Sequence, residues 1–211
     1  MYPDQNFLDN FKSVNGALSV AESIAIINIA NQAVPGLWVE GGTHLGKSAM
    51  SAIYGAKQAP DFHLIDTEFE KTIPTQQVAN NIRKISNIGA RLTFIVGSFL
   101  EYIKGTDFKF SFVFSDAGVH DDEVMEECKA LEDRFVPGGI ICFHDKGSQF
   151  TAVDRAYDYL LSTGKFEEIK IDWEPIIEYV VKNNLEDGNC SWHSYPDLPH
   201  PPNFVGALRR K

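Results

Sequence analysis

The sequence predicts an α/β fold in which a mostly parallel sheet carries helices on both faces. Three observations predict it. Short apolar runs alternate with amphipathic stretches of helical length from residue 19 to residue 172. The runs are apolar throughout rather than alternating, as in strands buried on both faces. A glycine-rich segment also separates the first such run from the stretch that follows it.

The elements follow in order. Ser19-Val20-Ala21-Glu22 is a capping-box pattern ahead of Ile24, Ile26, Ile27 and Ile29, so a helix is expected over 19–33. Pro35-Gly36 ends it, and Leu37-Trp38-Val39 reads as a short buried strand. Lys47 to Ala56 is helical in pattern, with small residues that permit close packing. His63 to Asp66 is the second strand, Thr75 to Ile88 a second amphipathic helix, and Leu92 to Val96 the third strand. Phe99 to Ile103 reads as a short helical turn and Phe110 to Phe114 as the fourth strand.

Asp121 to Phe135 reads as a helix with acids in its first turn, where they suit the helix dipole. Pro137-Gly138-Gly139 is expected to be a turn, followed by a fifth strand at Ile140 to Phe143. A helix over Thr151 to Ser162 and strands at Phe166 to Asp172 and Phe204 to Leu208 complete the set. Ile176 to Lys182 fits strand or helix equally, and residues 183–203 read as a long loop, open to a role as a lid or as a plain connection. At 211 residues the chain is expected to form a single domain, with one sizeable core.

Composition narrows the function classes. Cys128, Cys142 and Cys190 are far apart, with no CxxC pair, which argues against a zinc site or a disulfide framework and fits a reducing cytoplasm. No apolar run is long enough to span a membrane, and the N-terminus lacks a signal-peptide pattern. A net charge of −10 disfavours a phosphate-backbone partner, so neither nucleic acid nor membrane is expected as a partner. The basic end, Arg209-Arg210-Lys211, reads as a solvated tail.

The segment from Glu40 to Ser48 (Glu40-Gly41-Gly42-Thr43-His44-Leu45-Gly46-Lys47-Ser48) lies where an open parallel sheet binds ligands, beyond the carboxyl end of a strand. Two readings compete. Gly41 to Ser48 satisfies the phosphate-loop pattern GxxxxGK[ST], in which Lys47 would meet phosphates and Ser48 magnesium. A nucleoside reading uses Asp66 at the end of the second strand to accept hydrogen bonds from ribose hydroxyls. The spacing is not GxGxxG, which weakens a dinucleotide reading. Six arginines, none in an evident lid, weaken phosphoryl transfer.

The order of motifs resembles the class I S-adenosylmethionine-dependent methyltransferases, within them the small-molecule, catechol O-methyltransferase-like type. The resemblance runs through Glu40-Gly41-Gly42-Thr43 to Gly46-Lys47-Ser48, then Leu64-Ile65-Asp66, Val96-Gly97-Ser98, Phe114-Ser115-Asp116 and Val136-Pro137-Gly138-Gly139-Ile140-Ile141. It implies a Rossmann-like seven-stranded sheet, mostly parallel, with the last strand antiparallel. It implies that Glu40 and the backbone from Gly42 through Thr43 to Gly46 hold the methionine part of S-adenosyl-L-methionine, with Ser48 also a cofactor-binding residue. Asp66 would take the ribose hydroxyls, and Gly97, Ser98 and Phe99 would border the adenine, with Asp116 reaching the same crevice.

Methyl transfer needs an acceptor held in line with the departing sulfur, and a base where the acceptor is a hydroxyl. Asp116, His120, His144 and Asp145 follow the fourth and fifth strands and are the candidate catalytic residues, with His120 the best single base. Asp116 and Asp145 are candidate ligands for Mg2+ or another divalent cation. Catechol-type enzymes carry Asp-Asn after the fifth strand, whereas this chain has His144-Asp145-Lys146, and Lys146 could repel or replace a metal. His44 lies in the turn, His63 reads as a strand-surface residue, and His193 and His200 lie in the long loop. Trp173, Trp192 and Tyr195 are candidates for an aromatic acceptor wall, with core packing favoured for Trp173. The expected reaction is methylation of an oxygen on a small-molecule acceptor. The alternatives are a phosphate-loop nucleotide enzyme and a non-catalytic cofactor-binding protein.

Overall fold

The computed structural model describes residues 1–85, 89–118, 121–185 and 204–211. Seven strands form one sheet: β1 (Leu37–Gly41), β2 (Asp61–Asp66), β3 (Arg91–Val96), β4 (Phe110–Ser115), β5 (Phe135–Phe143), β6 (Phe166–Glu168) and β7 (Gly206–Arg210). Their order is β3-β2-β1-β4-β5-β7-β6. The first five pair in parallel, and β7 runs antiparallel between β5 and β6. The order reverses between β1 and β4, the switch point beside which open sheets bind ligands.

Among the described residues there are eight helices, two ahead of β1 and six between strands: α1 (Gln5–Lys12), α2 (Val20–Ala30), α3 (Lys47–Gly55), α4 (Thr75–Ile85), α5 (Phe99–Gly105), α6 (Asp121–Leu131), α7 (Thr151–Ser162) and α8 (Trp173–Lys182). One core packs α1, α2, α3, α4 and α8 against side chains such as Trp38, Phe62 and Phe114. The other packs α5, α6 and α7 against Val39, Ile65, Val113 and Ile141. Consecutive strand residues therefore face opposite cores, and this is why the runs are apolar without alternation. Helix α2 is buried on almost every residue. It lies against α3, where a Cβ on Gly55 would come within 2.3 Å of the Ile27 carbonyl oxygen. The small residues of α3 thus set the helix separation.

Several boundaries differ from expectation. Helix α1 was not anticipated; Asp4 caps it by accepting from the Phe7 amide, and Phe7, Leu8 and Phe11 are its buried face. Ile176 to Lys182 belongs to α8, with Ile176 and Val180 buried one turn apart. Trp173 packs, partly buried, against the core. Strand β6 is only three residues long. Helix α6 ends at Leu131, and Phe135 already belongs to β5.

Pro137-Gly138-Gly139 is not a turn before the fifth strand but an irregularity inside it. Phe110 pairs with Phe135 and Phe112 with Ile140, so β5 bulges against β4. Gly138 supplies the left-handed φ of 78°, and a side chain on Gly139 would come within 2.8 Å of the Phe110 carbonyl oxygen. Residues 186–203 of the expected loop, with His193, His200, Trp192, Tyr195 and Cys190, lie outside the described residues. No described helix is long and apolar enough to cross a membrane.

Candidate functional site

Strand β1 ends at Gly41 between β2 and β4, and the chain turns sharply there. Gly42 takes φ 79°, its amide donates to the Ile65 carbonyl at 3.0 Å, and a Cβ would come within 2.3 Å of the Asp116 carbonyl oxygen. Only glycine fits this crossing. Gly46, at φ 85°, occupies the cap position of α3.

The turn is braced from β2. Asp66 Oδ2 accepts from the His44 amide and Oδ1 from the Glu68 amide, each at 2.8 Å. The Asp66 carboxylate therefore shapes the loop and still lines the cleft above it. The His44 side chain is exposed.

That cleft has a volume of about 470 Å³. Of the expected cofactor residues, Gly42, Asp66, Gly97, Ser98 and Asp116 line it. Ser98 also caps α5, accepting from the Glu101 amide at 3.4 Å. Phe99 touches the cleft but is mostly core, filling the space beside Gly41.

Glu40, Thr43, Gly46 and Ser48 form the buried turn beneath the cleft rather than its lining. Glu40 is fully buried, and Ser48 Oγ donates to its Oε1. Its Oε2 and the Thr43 hydroxyl oxygen are buried with no hydrogen-bond partner among the described residues. Burial drives the Glu40 carboxyl well above the usual carboxylate range, and the charges of Asp116 and Asp66 reinforce this against the Ser48 bond. An unpaired polar group at such a depth costs several kcal/mol, roughly, unless a bound group satisfies it.

The same geometry removes the phosphate-loop reading. Lys47 is 5 % exposed; its Nζ donates to the Leu18 carbonyl at 3.1 Å and lies 4.4 Å from the Phe11 ring centre. Ser48 is engaged by Glu40. A phosphate loop needs both side chains turned toward its ligand, and here both turn into the core.

The ends of β4 and β5 bring a second group together. Asp116, His144 and Asp145 offer ligand atoms within 4.8 Å of one another. His144 Nδ1 lies 3.2 Å from Asp116 Oδ1 and 3.8 Å from Asp145 Oδ1. Its Nε2 lies 3.6 Å from Glu22 Oε1. Burial opposes charge on His144, but Asp116 and Glu22 overcome it and hold the imidazole protonated well above its usual range.

Asp145 adopts φ 63°, its buried Oδ1 accepts no hydrogen bond among the described residues, and burial pushes its carboxyl up to about 6 despite the adjacent imidazolium. The carboxylates of Asp116 and Asp145 suit a hard divalent cation, whereas the protonated imidazole beside them is a neighbour of that place and not a ligand. Lys146 does not compete for that place, because its Nζ pairs with Asp154 at 2.9 Å. His120 lies outside the described residues. His63 sits on β2 within bonding distance of the Tyr102 hydroxyl, 2.6 Å away, and does not line the cleft.

Two residues of the site were not singled out by sequence. Glu22 was read only as half of a capping box. Its Oε2 accepts from the Ser19 amide at 2.8 Å, while its fully buried Oε1 accepts from the Phe204 amide at 3.0 Å. Burial raises its carboxyl, but His144 and the two amides outweigh that and hold it low. The other is Glu127 of α6, which lines the cleft with Glu123. An acid pair spaced one turn apart was the only available signal.

The sequence profile of a methyltransferase domain matches residues 39–146, half of the chain. No curated protein matches it significantly in sequence. Among solved structures, an O-methyltransferase from Bacillus cereus in complex with S-adenosylhomocysteine is similar with a TM-score of 0.63 at 14 % identity, over 100 % of this chain and 93 % of that one. The O-methyltransferase TomG from Streptomyces achromogenes, involved in tomaymycin synthesis and solved with S-adenosylmethionine, gives 0.60 at 15 %, over 81 % and 84 %. A putative rRNA methylase from Clostridium thermocellum gives 0.53 at 14 %, over 87 % and 92 %. At these identities the likeness speaks to the fold.

Proposed function

The chain belongs to the methyltransferase domain family, whose class I members use S-adenosylmethionine, and from that premise we propose that it methylates an oxygen of a small-molecule acceptor in the cleft above Gly42 and Asp66. The observation that carries the proposal is the pairing of Asp66 in the cleft with the orphaned Glu40 and Thr43 oxygens beneath it. The first meets a diol and the others meet hydrogen-bond donors, at opposite ends of one ligand.

The bound cofactor supplies an activated methyl group on a sulfonium. The chain's own residues do the rest. Asp66 holds the ribose hydroxyls, and Gly42, with no side chain, lets the ligand approach the strand ends closely. Glu40 and Thr43 receive the polar end of the methionine portion from below. Asp116 lies at the junction of both groups and orients the acceptor hydroxyl. His144, held protonated between Asp116 and Glu22, is unsuited to remove a proton; it fixes Asp116 and stabilises negative charge on the acceptor oxygen. Asp116 and Asp145, with His144 beside them, would hold a divalent cation, which would lower the pKa of an acceptor hydroxyl.

The net charge of −10 supports a small acceptor over an RNA backbone, and the three cysteines without a paired spacing support a cytoplasmic setting. Methyl transfer from labelled S-adenosylmethionine to a panel of phenols and catechols, and separately to ribosomal RNA, tests the acceptor class. Transfer to a hydroxylated small molecule that drops at least tenfold with EDTA, and recovers with Mg2+, is expected. Transfer to RNA alone would overturn the acceptor class, and activity indifferent to EDTA would overturn the metal.

A further inference from the structure

Methyl transfer leaves two acids of the cleft unused, Glu123 and Glu127, and of these Glu127 is the buried one. It is 4 % exposed, and what remains exposed lines the cleft. Ser115 Oγ donates to its Oε2 at a long 3.5 Å, and among the described residues no donor reaches Oε1. No lysine or arginine is among the described residues that line the cleft. Burial, reinforced by the charge of Glu123, pushes the Glu127 carboxyl up to about 7. A buried acid with so little compensation lowers stability where alanine or leucine would not.

The layering of the fold says which part of a ligand meets it. The glycine turn leads into α3, on the face that also carries α2 and α4. Helices α5 and α6 cover the opposite face. The cleft is lined by Gly42 and Asp66 at the strand ends, by Ser98 at the start of α5 and by Glu127 on α6, which lies beside Ser115 at the end of β4. With methionine at the glycine turn and ribose at Asp66, the base extends toward α5 and α6.

We infer that Glu127 is a specificity-determining residue that accepts a hydrogen bond from the 6-amino group of the cofactor's adenine. The amine supplies the donor that Oε1 lacks, while Ser115 keeps Oε2. A site built this way disfavours a base without that amine, because the bound ligand covers the carboxyl and leaves it unpaired. The inference rests on the cofactor assignment above, and its test separates the two.

The test is calorimetry on the full-length protein with two probes. One is S-adenosylhomocysteine, and the other is its analogue with hydrogen in place of the 6-amino group. The wild type should bind the analogue about tenfold more weakly, the scale of one hydrogen bond to a buried acid. In Glu127→Ala the two probes should bind equally, and Glu127→Gln, whose carbonyl still accepts, should keep the preference. The same preference in wild type and Glu127→Ala would overturn the inference, as would an equal loss of both probes in Glu127→Ala. Should the alanine variant fail to fold, loss of preference in a folded Glu127→Gln overturns it equally. Failure of the wild type to bind S-adenosylhomocysteine at all would instead overturn the cofactor assignment itself.

Discussion

Glu127 shows how a residue's cost to the fold and its use to a ligand are linked. Its carboxyl lies near 4.5 in an unfolded chain and at about 7 in the fold, so between those values the folded state binds the extra proton. Stability from this residue is present below about pH 4.5 and is lost as pH rises toward 7, on the order of 3 kcal/mol in all. Glu127→Gln should therefore be more stable than wild type at pH 8, by up to about that amount, and no more stable at pH 4. Urea denaturation at the two pH values checks this. Equal stabilities at pH 8 would place the carboxyl in a more solvated setting than its burial indicates.

At the same scale, the residues named from the sequence that line the cleft, Gly42, Asp66, Gly97, Ser98 and Asp116, each follow or end a strand, and strand ends are legible. It did not find Glu22 or Glu127. Their roles come from helix faces meeting strand ends, and no local pattern records which strand end a helix residue will face.

At the scale of elements, α2, α3, α4 and α7 were legible within a few residues from their helical residue pattern, with a capping box besides at α2. Helix α1 was equally legible in principle, with Asp4 as cap and Phe7, Leu8 and Phe11 at helical spacing. The bulge in β5 was not, since Pro137-Gly138-Gly139 is written as a turn in any local code. Only the pairing with β4 keeps that segment in the sheet.

Helix α2 carries a longer connection. Glu22 joins its first turn to His144 at the end of β5 and to Phe204, just ahead of β7. Removing it would leave the Ser19 and Phe204 amides without that acceptor and withdraw one of the carboxylates that compensate His144. Glu22→Ala should cost about 3 to 5 kcal/mol, the range for one partner lost from a buried pair. Chemical denaturation near neutral pH measures it, and a loss below about 1 kcal/mol would mean that water replaces the carboxylate readily.

At the scale of the whole molecule, the switch between β1 and β4 is what turns a set of weak local signals into a site. It opens a cleft between two helical layers, one bringing the glycine turn and the other bringing Ser98 and Glu127. The glycine turn alone satisfied two incompatible patterns. Side-chain direction separated them, because Lys47 and Ser48 enter the core while Asp66 stays in the cleft. Titrating S-adenosylhomocysteine into wild type and Asp66→Ala by calorimetry tests this account most directly. The predicted result is one site per chain, weakened roughly a hundredfold in Asp66→Ala by loss of two charge-assisted hydrogen bonds. Absence of binding in the wild type, with ATP bound instead and lost in Lys47→Ala, would contradict it.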